Sequence, residues 1–130
     1  MGEHAGGRAE SMVYTLVSDL AAVRAFVTDR AIALGLSPAR ADLLTLAVNE
    51  LATNTLQYTR QGGQVRLWAE SGQIVCDVED QGPMRAFGAG MPPAEAVRGR
   101  GLAIVEMVCD HVAAFASGRG TVVRMRLGMA

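Results

Sequence analysis

Lysine is missing from this chain of 130 residues: all twelve of its basic residues are arginine. That absence removes several chemistries at once, because there can be no P-loop lysine, no Schiff-base lysine and no serine–lysine dyad. An excess of charge of either sign is missing too. Thirteen acidic residues face the twelve arginines, for a formal net charge of −1. The chain therefore has neither the basic field that nucleic acid attracts nor an acidic tail, and no nucleic-acid partner is expected. Cysteine is scarce. Cys76 and Cys109 lie far apart in sequence, each inside an apolar pattern, and read as small buried hydrophobes rather than as a disulfide or a reactive thiol. No CxxC pair and no histidine cluster suggests a metal site. No run approaches the roughly 20 apolar residues of a membrane span, and the opening MGEHAGGRAES has no hydrophobic signal region. The expectation is a cytoplasmic chain with no membrane partner.

What is present fits one globular domain. Half of the residues are apolar, enough for a single core and too many for a disordered chain. Residues 1–11 are polar and Gly-rich and read as a flexible tail, with the folded domain spanning 12–130. Met12–Val17 is a short strand-like run. Ser18 then offers an N-cap for a helix to about Leu34, with Leu20, Val23, Val27 and Ala31 on one face. Gly35 is a natural C-cap. Ser37-Pro38 starts a second helix running to about Tyr58, whose core stripe is Leu44, Ala47, Val48, Leu51 and Thr55.

Gln61-Gly62-Gly63 breaks that helix. Val65, Leu67 and Ala69 alternate with Arg66, Trp68 and Glu70, the pattern of a half-buried strand. After a Ser71-Gly72 hairpin turn, Ile74, Cys76 and Val78 alternate with Val75, Asp77 and Glu79. Residues 81–98 carry Gly82, Pro83, Gly88, Gly90 and the Pro92-Pro93 pair and read as a long loop, a feature that compact domains reserve for lids and binding segments. Gly101–Asp110 is a third helix. Val112–Ala116 and Thr121–Leu127 form a closing hairpin. The order β-α-α-β-β-α-β-β predicts a mixed, mostly antiparallel sheet covered on one face by helices, an α+β sandwich.

Four stretches could carry chemistry. In NELATNTLQYT (49–59), Glu50 and Asn54 stand one above the other on the second helix, beside its core stripe. An amide oxygen suits a hard cation such as Mg2+, and a neighbouring carboxylate could orient or deprotonate a hydroxyl. A boundary position with both side chains reaching solvent is the plainer reading. In VEDQGP (78–83), Asp80 ends a strand and Gly82 follows. Such a carboxylate can accept a hydrogen bond from an exocyclic amine, although an ordinary Asx turn looks the same. In RGRGLAIVEMV (98–108), Gly99 and Gly101 precede a helix whose first N–H groups favour phosphate, with Arg98 and Arg100 adding positive charge. It is neither a Walker motif nor a dinucleotide fingerprint. In GRGTVVRMRL (118–127), Thr121 opens the last strand, where its hydroxyl could touch a base or its water.

Together and in this order, the stretches resemble the GHKL (histidine kinase-like) ATPase superfamily, and within it the anti-sigma factor serine/threonine kinases. NELATNTLQY looks like that family's N-box, VEDQGP and GRGLAIVEMVCD like its two glycine boxes, and GTVVRMRL like its closing strand. The resemblance covers about residues 12–128. It implies a Bergerat-type two-layer sandwich binding ATP and Mg2+. Asn54 would hold the metal, and Glu50 would be the general base or water-orienting acid. Asp80 would read the adenine amine, with Gly82 letting the base lie close. Gly99, Arg100, Gly101 and Leu102 would wrap the phosphates, Thr121 would support the adenine end, and residues 84–98 would form the ATP lid. It also implies a homodimer, with the Met12–Val17 region and the first helix as its surface. The implied partners are a STAS-type anti-anti-sigma protein, which would be phosphorylated, and an RNA polymerase sigma factor. Two positions depart from the pattern: Tyr58 stands where the family often has histidine, and Met84 where it often has a second glycine. A nucleotide-gated binding module without kinase activity, and an α+β interaction domain without a ligand, remain the alternatives.

Overall fold

The computed structural model describes residues 9–58, 61–80, 103–118 and 120–129. Two long helices and one short one pack on an antiparallel five-stranded sheet. The elements run β1 (Glu10–Tyr14), α1 (Leu20–Leu34), α2 (Pro38–Tyr58), β2 (Gly63–Glu70), β3 (Gln73–Asp80), α3 (Ala103–Val108), β4 (His111–Ala116) and β5 (Thr121–Gly128). The strand order is β1-β2-β3-β5-β4, and all four pairings are antiparallel. The α+β arrangement and element order expected from the sequence are both present.

The helices follow their apolar periods. In α1 the buried residues are Leu20, Val23, Val27 and Ala31, and Gly35 closes the helix at φ 118°, a left-handed value that favours glycine. The Ser37 hydroxyl accepts the N–H of Arg40 at 3.2 Å, capping α2 as expected. Leu44, Ala47, Val48, Leu51 and Thr55 are buried. A pair of threonine hydroxyls joins the two helices. The Thr45 hydroxyl donates to the Ala41 carbonyl at 2.8 Å and lies 2.7 Å from the Thr28 hydroxyl. With the Thr45 proton used, Thr28 is the donor between helices.

The third helix ends at Val108, short of the expected Asp110, and two boundaries near the start of the chain differ too. β1 begins at Glu10, inside the stretch expected to be tail, because its ladder with β2 extends to Glu10↔Leu67 and Glu10 pairs with Arg30 at 3.1 Å. Ser18 does not cap α1. It lies in a 3-10 turn, Val17–Asp19, and Asp19 takes the cap position. The Asp19 carboxylate reaches back to accept the N–H groups of Thr15 (2.9 Å) and Leu16 (3.0 Å).

Sheet register puts apolar side chains under the helices. Val65, Leu67, Ile74, Cys76, Val78, Val123, Met125 and Leu127 join the core. Ser71 and Gly72 both have positive φ (53° and 78°), as a two-residue type I′ turn requires. The other sheet face is more closed than a half-buried strand suggests, with Trp68 7%, Asp77 1% and Glu79 5% exposed. Arg124 grips Asp77 through two bonds, Nε–Oδ1 at 2.8 Å and Nη2–Oδ2 at 2.9 Å. Its guanidinium lies 5.3 Å from the Trp68 ring centre and 5.2 Å from that of Phe115, a cation–π arrangement on both sides. Arg66 adds contacts of 3.5 Å to Asp77 and to Glu79, and the Ser117 hydroxyl donates to Glu79 at 2.9 Å. The cysteines are free, as expected, and burial raises both thiols, Cys109 to about 12.

Arg124→Met should destabilise the fold by about 3 kcal/mol in urea unfolding, since it leaves a buried carboxylate with only the longer Arg66 contact. A loss below about 1 kcal/mol would show that Arg66 alone holds Asp77. Stability should also fall in acid. Backbone N–H groups hold the Asp19 and Asp110 carboxyls below their ordinary value, and the Trp68 indole N–H does the same for Glu70. Groups lowered in the folded state stabilise it above the ordinary carboxylate range and lose that effect as pH falls through their lower values. The melting temperature should therefore drop as pH is lowered below about 4, with a shallower slope in Asp19→Asn.

Candidate functional site

The candidate site lies where the C-terminal half of α2 meets one end of the sheet. Glu50 and Asn54, both half-buried, stand one turn apart on α2. Among the described residues none forms an ion pair with Glu50. The Asn54 Nδ2 is buried and, among the described residues, has no hydrogen-bond partner. A buried donor left unpaired is costly. Asn49, the first residue of the motif, is used differently: its side-chain oxygen accepts from Arg24 on α1 at 3.1 Å, which ties the two helices.

Asp80 and Thr121 meet at the end of the sheet. Asp80 is the last residue of β3, and the register sets Gly63 on one side of it and Thr121 on the other. Both side chains are almost fully buried on the helix-covered face. Continuing the row, Gly63 pairs with Tyr14. Four strands thus contribute Tyr14, Gly63, Asp80 and Thr121 to one line. Thr55, the residue after Asn54, is buried and donates its hydroxyl proton to the Leu51 carbonyl at 3.0 Å.

Glycine is required within this row. A Cβ at Gly63 would stand 2.5 Å from the Tyr14 hydroxyl oxygen and 2.8 Å from the ring carbon bearing it, and would collide with the Glu79 carbonyl. The Tyr14 phenol therefore occupies the space that a side chain at 63 would fill. Gly62, at φ 76°, allows an equally close approach to the Tyr14 carbonyl. Burial pushes the Tyr14 phenol well above its ordinary value. The Thr55 hydroxyl opposes that shift and the Asp80 charge adds to it.

The structure thus brings Asp80 and Thr121 together and places Glu50 and Asn54 on one helix face. Gly82, Gly99, Arg100, Gly101 and Leu102 lie outside the described residues, as do Met84, Arg98 and the stretch 84–98 expected to be a lid. Sequence reasoning missed Tyr14. The signal was available in the alternation of Met12 and Tyr14 with Val13 and Thr15, set against a glycine pair that was read only as a helix breaker. Among the described residues no group of His, Cys, Asp and Glu could hold a metal ion. A Mg2+ site built from one amide and a ligand's own oxygens needs no such group, since Mg2+ keeps few protein ligands. The Asn54 side-chain oxygen is the donor type that role needs, and its Nδ2 is the buried atom without a partner among the described residues. Among the described residues no helix is long and apolar enough to cross a membrane.

Comparison with known proteins bears on the fold and the family. No curated protein sequence matches the chain. Among solved structures, 33 chains match. One is the crystal structure of the RsbU and RsbW domains of Rv1364c from Mycobacterium tuberculosis, at a TM-score of 0.71 and 15% identity. The match covers 94% of this chain and 32% of that one. At that identity the likeness shows the shared fold, and this chain spans about a third of the longer protein. The model of the histidine kinase-like ATPase domain matches residues 14–127. With nearly its whole length matched, the chain belongs to the histidine kinase-like ATPase domain family.

Proposed function

We propose that the chain binds ATP with Mg2+ and acts as a serine/threonine protein kinase of the anti-sigma factor type, phosphorylating a STAS-type anti-anti-sigma protein in a partner-switching system. The observation that carries the nucleotide part is the Asn54 amide, whose buried Nδ2 has no hydrogen-bond partner among the described residues, one helical turn from Glu50. The family membership supports ATP as the ligand, and the likeness to a structure that contains an RsbW domain supports the partner-switching role.

The roles divide between the two ends of the site. Asn54 would hold the metal, which when bound neutralises charge on the phosphates and aligns them. Glu50 would take the proton of the acceptor Ser or Thr hydroxyl as its oxygen attacks the γ-phosphorus and ADP leaves. Phosphoryl transfer asks mainly for such positioning and charge stabilisation. Asp80 would accept the adenine amine and Thr121 would support it from the neighbouring strand. Gly82 and the Gly99, Arg100, Gly101 and Leu102 segment would serve the base and the phosphates. A homodimer and a sigma factor partner belong to the same reading, with the exposed Val13, Leu16 and Val17 available as part of an interface.

Calorimetric titration with ATP, with and without Mg2+, tests the binding. The wild type should bind with Mg2+-dependent affinity. Asn54→Ala should lose at least about tenfold of that affinity while keeping its melting temperature. Glu50→Gln should bind ATP as the wild type does and transfer no phosphate to a STAS partner. Normal transfer by that variant would remove Glu50 from the proposed role. Binding without transfer in the wild type would leave a nucleotide-gated binding module.

A further inference from the structure

We propose that Leu43 and Leu46, exposed on α2, form the docking ridge for the protein whose hydroxyl Glu50 activates. The inference rests on the kinase reading above and deepens it, because it assigns the acceptor protein a surface and a direction of approach.

The first observation is an apolar surface where a helix ordinarily carries charge. Among residues 41–50 the exposed positions are Asp42, Leu43 and Leu46. Leu43 is 47% and Leu46 46% exposed. Neighbouring leucines left half in water on one ridge mark a contact surface, as apolar residues scattered singly do not. Met107 adds to it at 86% exposed. It belongs to α3, which packs on α2. Asp110, three residues further on, reaches Arg40 in the first turn of α2 at 3.5 Å. Met107 therefore lies toward the same N-terminal half of α2 as the two leucines.

The second is alignment with Glu50. Seven residues of α-helix turn through about 700°, so Leu43 points within about 20° of the direction of Glu50, about 10 Å from it along the axis. Leu46 stands one turn before Glu50, about 6 Å away along the axis. Asn54 lies one turn from Glu50 in the other direction.

The third is the direction of attack. Transfer forms a bond from the acceptor oxygen to the γ-phosphorus and breaks the bond from that phosphorus to the bridging oxygen that leaves with ADP. The two oxygens stand roughly in line, and the acceptor's proton passes to Glu50. In the reading above, the nucleotide occupies the C-terminal side of Glu50, from Asn54 to Asp80 and Thr121. Thr55, next to Asn54, acts on the Tyr14 phenol, and the sheet row of Tyr14 holds Asp80 and Thr121. ADP thus leaves toward the C-terminal end of α2, and the acceptor enters from the N-terminal side, over Leu46 and Leu43. An interface of ordinary size buries about 800 Å2 per partner, a patch about 16 Å in radius. A folded protein with its hydroxyl at Glu50 would cover both leucines. The partner that fits carries apolar side chains beside its acceptor Ser or Thr.

The test uses the full chain with ATP, Mg2+ and a STAS-type protein of the same genome as acceptor. Leu43→Gln/Leu46→Gln keeps good helix formers at both positions and should melt at the wild-type temperature. Its calorimetric ATP affinity and its kcat at saturating acceptor should match the wild type, while its KM for the acceptor should rise about tenfold. Glu50→Gln should show the opposite split, binding the acceptor normally and transferring nothing. If the wild type transfers phosphate and the double variant keeps its KM, the ridge lies outside the acceptor's footprint and the proposal fails alone. A raised KM accompanied by weaker ATP binding and a lower melting temperature would overturn it in favour of a role in folding. A wild type that binds no ATP, or binds it and phosphorylates no STAS-type protein, would overturn the kinase reading and this inference with it.

Discussion

Strand register is the constraint on which the rest of this molecule depends. Side chains alternate between sheet faces with a period of two, so a slip of one residue would exchange the faces. In β3 that would put Asp77 and Glu79 under the helices and turn Ile74, Cys76 and Val78 away from them. The Ser71-Gly72 turn holds β2 and β3 in place at one end. At the other, the same register sets Gly63 beside Asp80 and Asp80 beside Thr121. The candidate site is thus a product of the hairpin: a strand shifted by one residue would separate every member of the row.

The two sheet faces solve different problems. The covered face is an apolar core built by α1 and α2. The opposite face carries charge, and its carboxylates Asp77 and Glu79 are buried because guanidinium groups, themselves about a third exposed, lie across them. Arginine suits this arrangement where lysine would not: Arg124 makes two parallel bonds to Asp77 while its flat face rests between Trp68 and Phe115. The absence of lysine first noticed in the composition therefore has a structural counterpart, although the composition does not dictate it.

Much of the fold was legible because its signals are local. The helix faces follow from Leu20, Val23, Val27 and Ala31 and from Leu44 to Thr55. The Gly35 and Ser37-Pro38 punctuation marks their ends, and Ser71-Gly72 marks the hairpin. What escaped was set by tertiary contact. β1 reaches back to Glu10 because Arg30 and Leu67 await it, and neither neighbour is close in sequence. Asp19 takes the cap position in place of Ser18 because a 3-10 turn, Val17–Asp19, comes before the helix. In the site, Glu50, Asn54, Asp80 and Thr121 were readable as motif positions. Tyr14 was not, since its place depends on a glycine 49 positions later in the chain.

The burial of Trp68 on the outer face has an optical consequence. Trp68 is the molecule's one tryptophan, held by its indole N–H on Glu70 at 2.8 Å and by the Arg124 guanidinium beside its ring. It lies on the side of the sheet away from Glu50 and Asn54. Its emission spectrum is therefore a gauge of the packing around that ring. A ligand arriving under the helices will not touch the fluorophore, and any change of colour on its arrival would be a signal that had crossed the sheet.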